Sequence, residues 1–140
     1  MILYLDTSSF LKLFIVEEHS EAVREHVASA DGLHTSIVSW PEAKGVIARA
    51  VRGNRILAES YAASESKLLE FWNKVDVVDV TTDLIAEAGD LAARFYLRGL
   101  DAIHLASAVT LQRYLNEPVA FSAFDDRLLD AAEACGLVRG

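Results

Sequence analysis

A single cysteine, Cys135, rules out an intrachain disulfide in this 140-residue chain, which fits a reducing compartment. No uncharged apolar stretch approaches the roughly 18–20 residues that a membrane-spanning helix requires, so no membrane association is expected. The opening residues, MILYLDTSSF, have no basic segment and carry an acid at position six; a signal peptide is not expected there. Low-complexity tracts, Pro/Ser-rich linkers and internal repeats are absent, and one domain over residues 1–140 is the expectation. Nothing resembles a Cys/His zinc site. Basic charge is also short, with 13 Lys and Arg against 21 Asp and Glu and a net charge of −8. Nucleic-acid binders usually carry a basic footprint. Either the substrate is not a polyanion, or divalent cations and a local basic patch invert the field where it meets the protein. A cytoplasmic location is the expectation.

What is present is a core, 52% of the residues being hydrophobic, and an alternation of short apolar runs with amphipathic stretches. Ile2–Leu5 reads as a strand buried on both faces, and Asp6-Thr7-Ser8-Ser9 follows as a helix start. The pattern predicts strands over Leu33–Val38, Val75–Val80, Pro118–Ser122 and Leu137–Arg139. Helices are predicted over His19–Ala30, Pro41–Arg52, Arg55–Lys74, Leu84–Leu97, Asp101–Leu115 and Asp125–Cys135. Strands alternating with helices make this an α/β protein, an α/β/α sandwich around a mainly parallel sheet.

Four carboxylates share one address in that pattern. Asp6 and Asp125 each follow a strand and open a helix, Glu42 lies in the first turn of the helix after Leu33–Val38, and Asp101 opens a helix after Gly99-Leu100. In a parallel sheet the strand-to-helix junctions gather at one edge, where open α/β sheets keep their ligand crevices. Helix capping alone would explain any one of them. However, Thr7, Ser8 and Ser9 offer other caps beside Asp6, and Asp126 offers one beside Asp125. Gathered carboxylates repel unless a cation neutralises them. Oxygen ligands suit Mg²⁺ or Mn²⁺, and phosphodiester hydrolysis is the chemistry that uses such a pocket.

The residues also resemble a known family. Leu5-Asp6-Thr7-Ser8, Thr35-Ser36 with Pro41-Glu42-Ala43, Leu100-Asp101-Ala102-Ile103-His104-Leu105-Ala106, and Phe121-Ser122-Ala123-Phe124-Asp125 with Arg127-Leu128 resemble, in order and spacing, the PIN-domain superfamily. Within it they resemble the VapC-type toxin ribonucleases of type II toxin–antitoxin pairs. The resemblance implies a PIN-like α/β/α sandwich, Mg²⁺ or Mn²⁺ held by acidic residues, and endonucleolytic cleavage of RNA that leaves a 5′-phosphate. It also implies a homodimer neutralised by a cognate VapB-type antitoxin. By position, Asp6 and Asp101 are the principal metal ligands, and Glu42 and Asp125 complete the catalytic and metal-binding set. Ala123 departs from the pattern, since relatives often carry a hydroxyl there; Ser122 is the nearest substitute.

Other residues divide between structure and function. His104, among Ile103, Leu105 and Ala106, reads as a packed residue rather than a base. Ser8 is a helix cap or a donor to a phosphate or metal-bound water. Lys44, Arg49, Arg52 and Arg55 are a solvated helix face or a rim that grips RNA. Phe71, Trp72, Phe95 and Tyr96 suit a dimer surface or the core, and Cys135 reads as a small buried hydrophobe. A haloacid-dehalogenase-like phosphatase would need a second Asp where Ser8 stands, and a receiver domain would need an acidic pair after the first strand. The alternative of a different class is a non-catalytic PIN-like module that binds RNA or protein.

Overall fold

The computed structural model describes residues 1–140. Five strands, β1 (Ile2–Leu5), β2 (Gly32–Ser36), β3 (Asp76–Val78), β4 (Val119–Ser122) and β5 (Val138–Arg139), form one sheet in the order β3-β2-β1-β4-β5. Every pairing is parallel. The helices are α1 (Thr7–Leu11), α2 (Ser20–Ser29), α3 (Ser39–Arg52), α4 (Tyr61–Trp72), α5 (Thr82–Phe95), α6 (Gly99–Leu115) and α7 (Asp126–Ala134). No helix is long and apolar enough to cross a membrane.

Side chains alternate across a strand, and the two faces of the sheet nucleate two cores. Leu3, Leu5 and Ala120 point to one side, where they pack with Phe10, Val23, Ile47 and Leu68 of α1 to α4. Tyr4, Val119 and Phe121 point to the other and meet Leu91, Leu105 and Leu128 of α5 to α7. The Tyr4 and Phe121 rings stack at 5.5 Å with planes 6° apart. Burial of each such side chain contributes roughly 1.5–3 kcal/mol, so the central strands hold both layers. This is the α/β/α sandwich that the alternating pattern predicts.

The predicted Arg55–Lys74 helix begins later, at Tyr61. Arg55 and Ile56 donate their backbone N–H groups to the Ala50 carbonyl at the end of α3, at 2.8 and 3.3 Å. Committed there, the chain passes through a left-handed Asn54 and a short 3₁₀ turn over Ala58–Ser60 before α4 starts. The aromatic residues also divide. Phe71, Trp72 and Phe95 pack against the two cores, whereas Tyr96 is 84% exposed. Tyr96 ends α5 in a left-handed conformation (φ 57°, ψ 39°), as Asn116 ends α6. Asn takes that conformation readily; a bulky L-residue does so at a cost of about 1–2 kcal/mol.

The strand order turns on β1: β2 lies to one side and β4 to the other. This is the topological switch point at which open α/β sheets form a crevice. The Asp6 N–H donates to the Ser122 carbonyl at 3.0 Å, extending the β1–β4 ladder to the C-terminal edge.

Candidate active site

Asp6 leaves β1 with extended backbone and caps α1 itself, its Oδ1 accepting from the Ser9 N–H at 2.8 Å. The Ser8 hydroxyl donates to the same oxygen at 2.7 Å. Ser8 is therefore the clamp on Asp6, and the neighbouring hydroxyls do not take over the cap. Both hydrogen bonds fall on Oδ1, which leaves Oδ2 for an external partner. Asp6 is only 6% exposed. Burial pushes its carboxyl above the ordinary range, against the opposing influence of His104 and the Ser9 and Ser8 hydrogen bonds. Ser122, the nearest hydroxyl to the Ala123 departure, donates to Ser9 Oγ at 2.9 Å and so braces the α1 start from β4.

Glu42 sits in the first turn of α3, which follows directly from β2. Its Oε1 accepts from the Thr7 hydroxyl at 2.6 Å and lies 3.0 Å from His104 Nε2. Burial pushes the Glu42 carboxyl up, but the hydrogen bonds from His104 and Thr7 and the charge of His104 outweigh it, and the net direction is down. Glu42 is thus held ionised, oriented through one oxygen.

His104 is 2% exposed and more than a packed residue. Its Nδ1 lies 2.9 Å from the Tyr4 hydroxyl and its Nε2 lies 3.0 Å from both Thr7 Oγ1 and Glu42 Oε1. Burial is the main reason that the Tyr4 phenol is pushed far above its ordinary range, with the charges of Asp6 and Glu42 adding to it. The phenol therefore keeps its proton, and the Tyr4 hydroxyl at Nδ1 and the Thr7 and Glu42 oxygens at Nε2 hold the ring from its two ends. Ser39 extends the network, its hydroxyl 3.2 Å from Thr7 Oγ1 and 2.8 Å from Thr35 Oγ1, and Thr35 donates to the Leu5 carbonyl at 2.7 Å. One connected set of polar groups thus ties β1, β2, α1, α3 and α6 together. Every fully buried side-chain polar atom of the protein has a partner. The sequence marked Glu42 as a candidate ligand and Thr7 as a cap residue in a family block, but Tyr4 and Ser39 carried no signal of their own.

Asp101 is the third residue of α6, and Asp125 caps α7 by accepting from the Leu128 N–H at 3.0 Å. Both line one cleft of about 520 Å³ with Tyr96, Arg98, Phe124 and Arg127. Burial raises the Asp101 carboxyl, the Asp125 charge adds to it, His104 and Arg98 oppose it, and Glu42 adds further. Asp126 also borders the cleft, but its side chain is 97% exposed and reaches toward Arg139 at 3.9 Å.

Asp101 and Asp125 therefore line one cleft, Glu42 is bound to His104 and to Thr7, the residue after Asp6, and the charge of His104 acts on Asp6, Glu42 and Asp101 alike. No three His, Cys, Asp or Glu side chains form a ready-made metal cage. A small hard cation does not require one. Mg²⁺ keeps several waters and takes one or two carboxylates, and Asp6 and Asp101, both carrying raised pKa values, are the acids that gain most from a neighbouring positive charge. Carboxylate oxygens are the donor type that suits such an ion. The basic stretch on α3 does not form the rim of this cleft: Lys44 is ion-paired with Glu65, and the arginines that line the cleft are Arg98 and Arg127.

Comparison with known proteins agrees with the geometry. The family model described as PIN domain matches residues 3–134. Ribonuclease VapC45 of Mycobacterium tuberculosis is 31% identical over 136 residues, covering 96% of this chain and 92% of its own length. Ribonuclease VapC46 of the same species is 30% identical over 135 residues, covering 96% of this chain and 93% of its own. Among solved structures, M. tuberculosis VapC20, a toxin that cleaves the sarcin-ricin loop, superposes with a TM-score of 0.68 at 21% identity, over 99% of this chain and 98% of that one. VapBC2 from Rickettsia felis, bound to a fragment of its promoter DNA, superposes with a TM-score of 0.67 at 13% identity, over 100% and 98%. These structures share the fold.

Proposed function

The chain belongs to the PIN domain family, and from that premise we propose that it is a divalent-metal-dependent endoribonuclease, the toxin of a toxin–antitoxin pair. The observation that carries the reading is the cleft lined by Asp101 and Asp125 together with Arg98 and Arg127, in which burial and the Asp125 charge raise the Asp101 carboxyl against His104 and Arg98. Such an arrangement works against stability at neutral pH unless positive charge enters the site.

Asp6, through its free Oδ2, and Asp101 would hold the ion directly, with Glu42 and Asp125 completing the set through water. A bound Mg²⁺ or Mn²⁺ would supply polarisation of the phosphoryl oxygens and stabilisation of the charge that develops on them. The remaining work belongs to the chain. Glu42, kept ionised by Thr7 and His104, accepts a hydrogen bond from the attacking water and aims it at phosphorus. A carboxylate whose pKa is lowered is a weak base, so orientation is its main contribution. His104 and Tyr4 fix the direction of Glu42, and Ser8 and Ser9 fix that of Asp6. Arg98 and Arg127 offset the acid charge for an incoming phosphate.

The partner is a VapB-type antitoxin, in keeping with the family and with the VapBC assembly that shares this fold. An arginine of such a partner would satisfy Asp101 and Asp125 much as a cation does. The family resemblance implies a homodimer, and an RNA substrate is in keeping with a cytoplasmic location. Expression in cells, alone and with a cognate VapB-type antitoxin, tests the reading. Growth arrest is expected for the chain alone, with RNA fragments carrying 5′-phosphates, and it is relieved both by the antitoxin and by Asp6→Asn. Equal growth with and without expression would overturn it.

A further inference from the structure

Four non-glycine residues have left-handed backbone: His19, Asn54, Tyr96 and Asn116. The two asparagines are ordinary in that conformation. Of the two ring-bearing residues, only Tyr96 is part of the acidic cleft's lining. His19 stacks on the cleft-lining Phe124 at 5.3 Å with planes 11° apart.

The two cleft rings differ in what they have left to offer. Phe124 is already engaged, by the His19 stack and by the Lys12 ammonium 4.6 Å from its ring centroid. Lys12 is itself held by Glu17 and by the Glu18 carbonyl. Phe124 is thus a fixed wall. Tyr96 makes no aromatic or cation–π contact with any other residue, and its ring is free. Exposure alone would not single it out, since Tyr114 is 85% exposed elsewhere. The distinction of Tyr96 is its place: a free ring, held out by strained backbone, in the cleft that contains Asp101 and Asp125. Arg98 and Arg127, the cationic lining of that cleft, form no ion pair.

We propose that Tyr96 is a base-stacking platform that takes one unpaired base of single-stranded RNA beside the scissile phosphate, with Arg98 and Arg127 on the flanking phosphates. This rests on the nuclease reading of the same site and adds to it the residue that holds an unpaired base. A free aromatic face joined to unpaired arginines is the combination by which proteins hold single strands, since every base has a π-face and every nucleotide a phosphate. A duplex keeps its bases stacked on one another and cannot present one to the ring.

The test uses Asp101→Asn protein, in which cleavage is suppressed, and a single-stranded RNA carrying 2-aminopurine, whose fluorescence is quenched on stacking. Binding with quenching is expected for this parent and for Tyr96→Phe in it. Tyr96→Ala should raise the Kd roughly 5- to 100-fold and abolish the quench. Tyr96→Gly, which suits left-handed backbone, should do the same while melting no lower than the parent, so that loss of the ring is separated from loss of the fold. A duplex of the same sequence should bind more weakly and show no dependence on Tyr96. Unchanged Kd and quench in both Tyr96→Ala and Tyr96→Gly would overturn the proposal, as would intact RNA binding with a weakened antitoxin complex, which would assign Tyr96 to protein docking. If wild-type protein cuts RNA and the quench ignores Tyr96, the subsite fails and the nuclease reading stands. If the quench depends on Tyr96 and no cation supports cleavage, the subsite stands and the nuclease reading fails.

Discussion

The Tyr4 hydroxyl and His104 Nδ1 lie 2.9 Å apart across one hundred residues of sequence, and this buried contact pins the ring whose Nε2 lies 3.0 Å from Glu42 Oε1. Tyr4→Phe removes the partner of Nδ1, so the ring is held from one end only and the direction of Glu42 is less fixed. Turnover is expected to fall about 10- to 100-fold, the usual effect of losing a group that orients a site's ligands, with KM little changed. In a His104→Asn background, where no Nε2 remains to orient, Tyr4→Phe should add nothing to the loss of kcat. Full additivity in that double-mutant cycle would mean that the hydroxyl acts only through packing.

Asp6 and Asp101 are expected to oppose stability at neutral pH. Both have folded-state pKa values above the ordinary one, so the folded protein binds more protons than the unfolded chain through their titration range. Stability then falls as pH rises through those pKa values, and it is recovered when the charge is removed. Asp6→Asn and Asp101→Asn should each raise Tm at pH 7 without divalent ion while lowering activity by about 10²-fold or more. Mn²⁺ should raise the Tm of the wild type and do less for either variant. Thermal melts at pH 4 and pH 7, with and without Mn²⁺, check both parts.

Glu42 works in the opposite sense. Its folded-state pKa is lowered, so its contribution to stability is present above the unfolded value and lost as pH falls through the folded one. Glu42→Gln should flatten the acid limb of the stability curve. Thr7→Val should do the same in part, since it removes the 2.6 Å hydroxyl donor. An unchanged acid limb in both variants would contradict this assignment of Glu42.

Asp125 and Asp126 are adjacent, but only Asp125 caps α7. Asp125→Asn should keep the cap and lose activity, and Asp125→Ala should also lose about 1 kcal/mol of stability. Asp126→Asn should retain near-normal activity. A reversed pattern in cleavage assays would move the fourth carboxylate to Asp126.

Much of this was legible in the residues, for identifiable reasons. Ile2–Leu5 and Pro118–Ser122 are apolar runs closed by cap residues, so β1, β4 and the positions of Asp6 and Asp125 follow from local pattern. The Arg55–Lys74 stretch misled because its apolar stripe continues past a point where Arg55 and Ile56 bond back to α3, a tertiary commitment that periodicity does not register. The predicted helix Leu84–Leu97 overran for a related reason. It ends at Phe95, on a tyrosine in a conformation usually marked by Gly or Asn. Cap chemistry and metal ligation appeared as competing explanations of Asp6 and Asp125, yet each carboxylate caps with one oxygen and keeps the other. The Tyr4–His104–Glu42 connection joins β1, α6 and α3, and only the folded chain brings those residues within bonding distance.

Arg98 and Arg127 should carry the electrostatic part of RNA binding. Each alanine substitution is expected to reduce the slope of log K against log salt by about 0.7–1, whereas Lys44→Ala, with its ammonium already paired to Glu65, should leave the slope unchanged. Binding isotherms over a range of KCl concentrations distinguish the two sets.

The central claim is that Asp6, Glu42, Asp101 and Asp125 serve one cation-dependent hydrolysis of RNA. Incubating antitoxin-free protein with a 5′-labelled single-stranded RNA, in Mn²⁺ or in EDTA, and beside Asp6→Asn, tests it most directly. Cleavage by the wild type in Mn²⁺, absent in EDTA and reduced at least ~10²-fold in Asp6→Asn, is the predicted result. Undiminished cleavage in EDTA, or equal cleavage by Asp6→Asn, would contradict it.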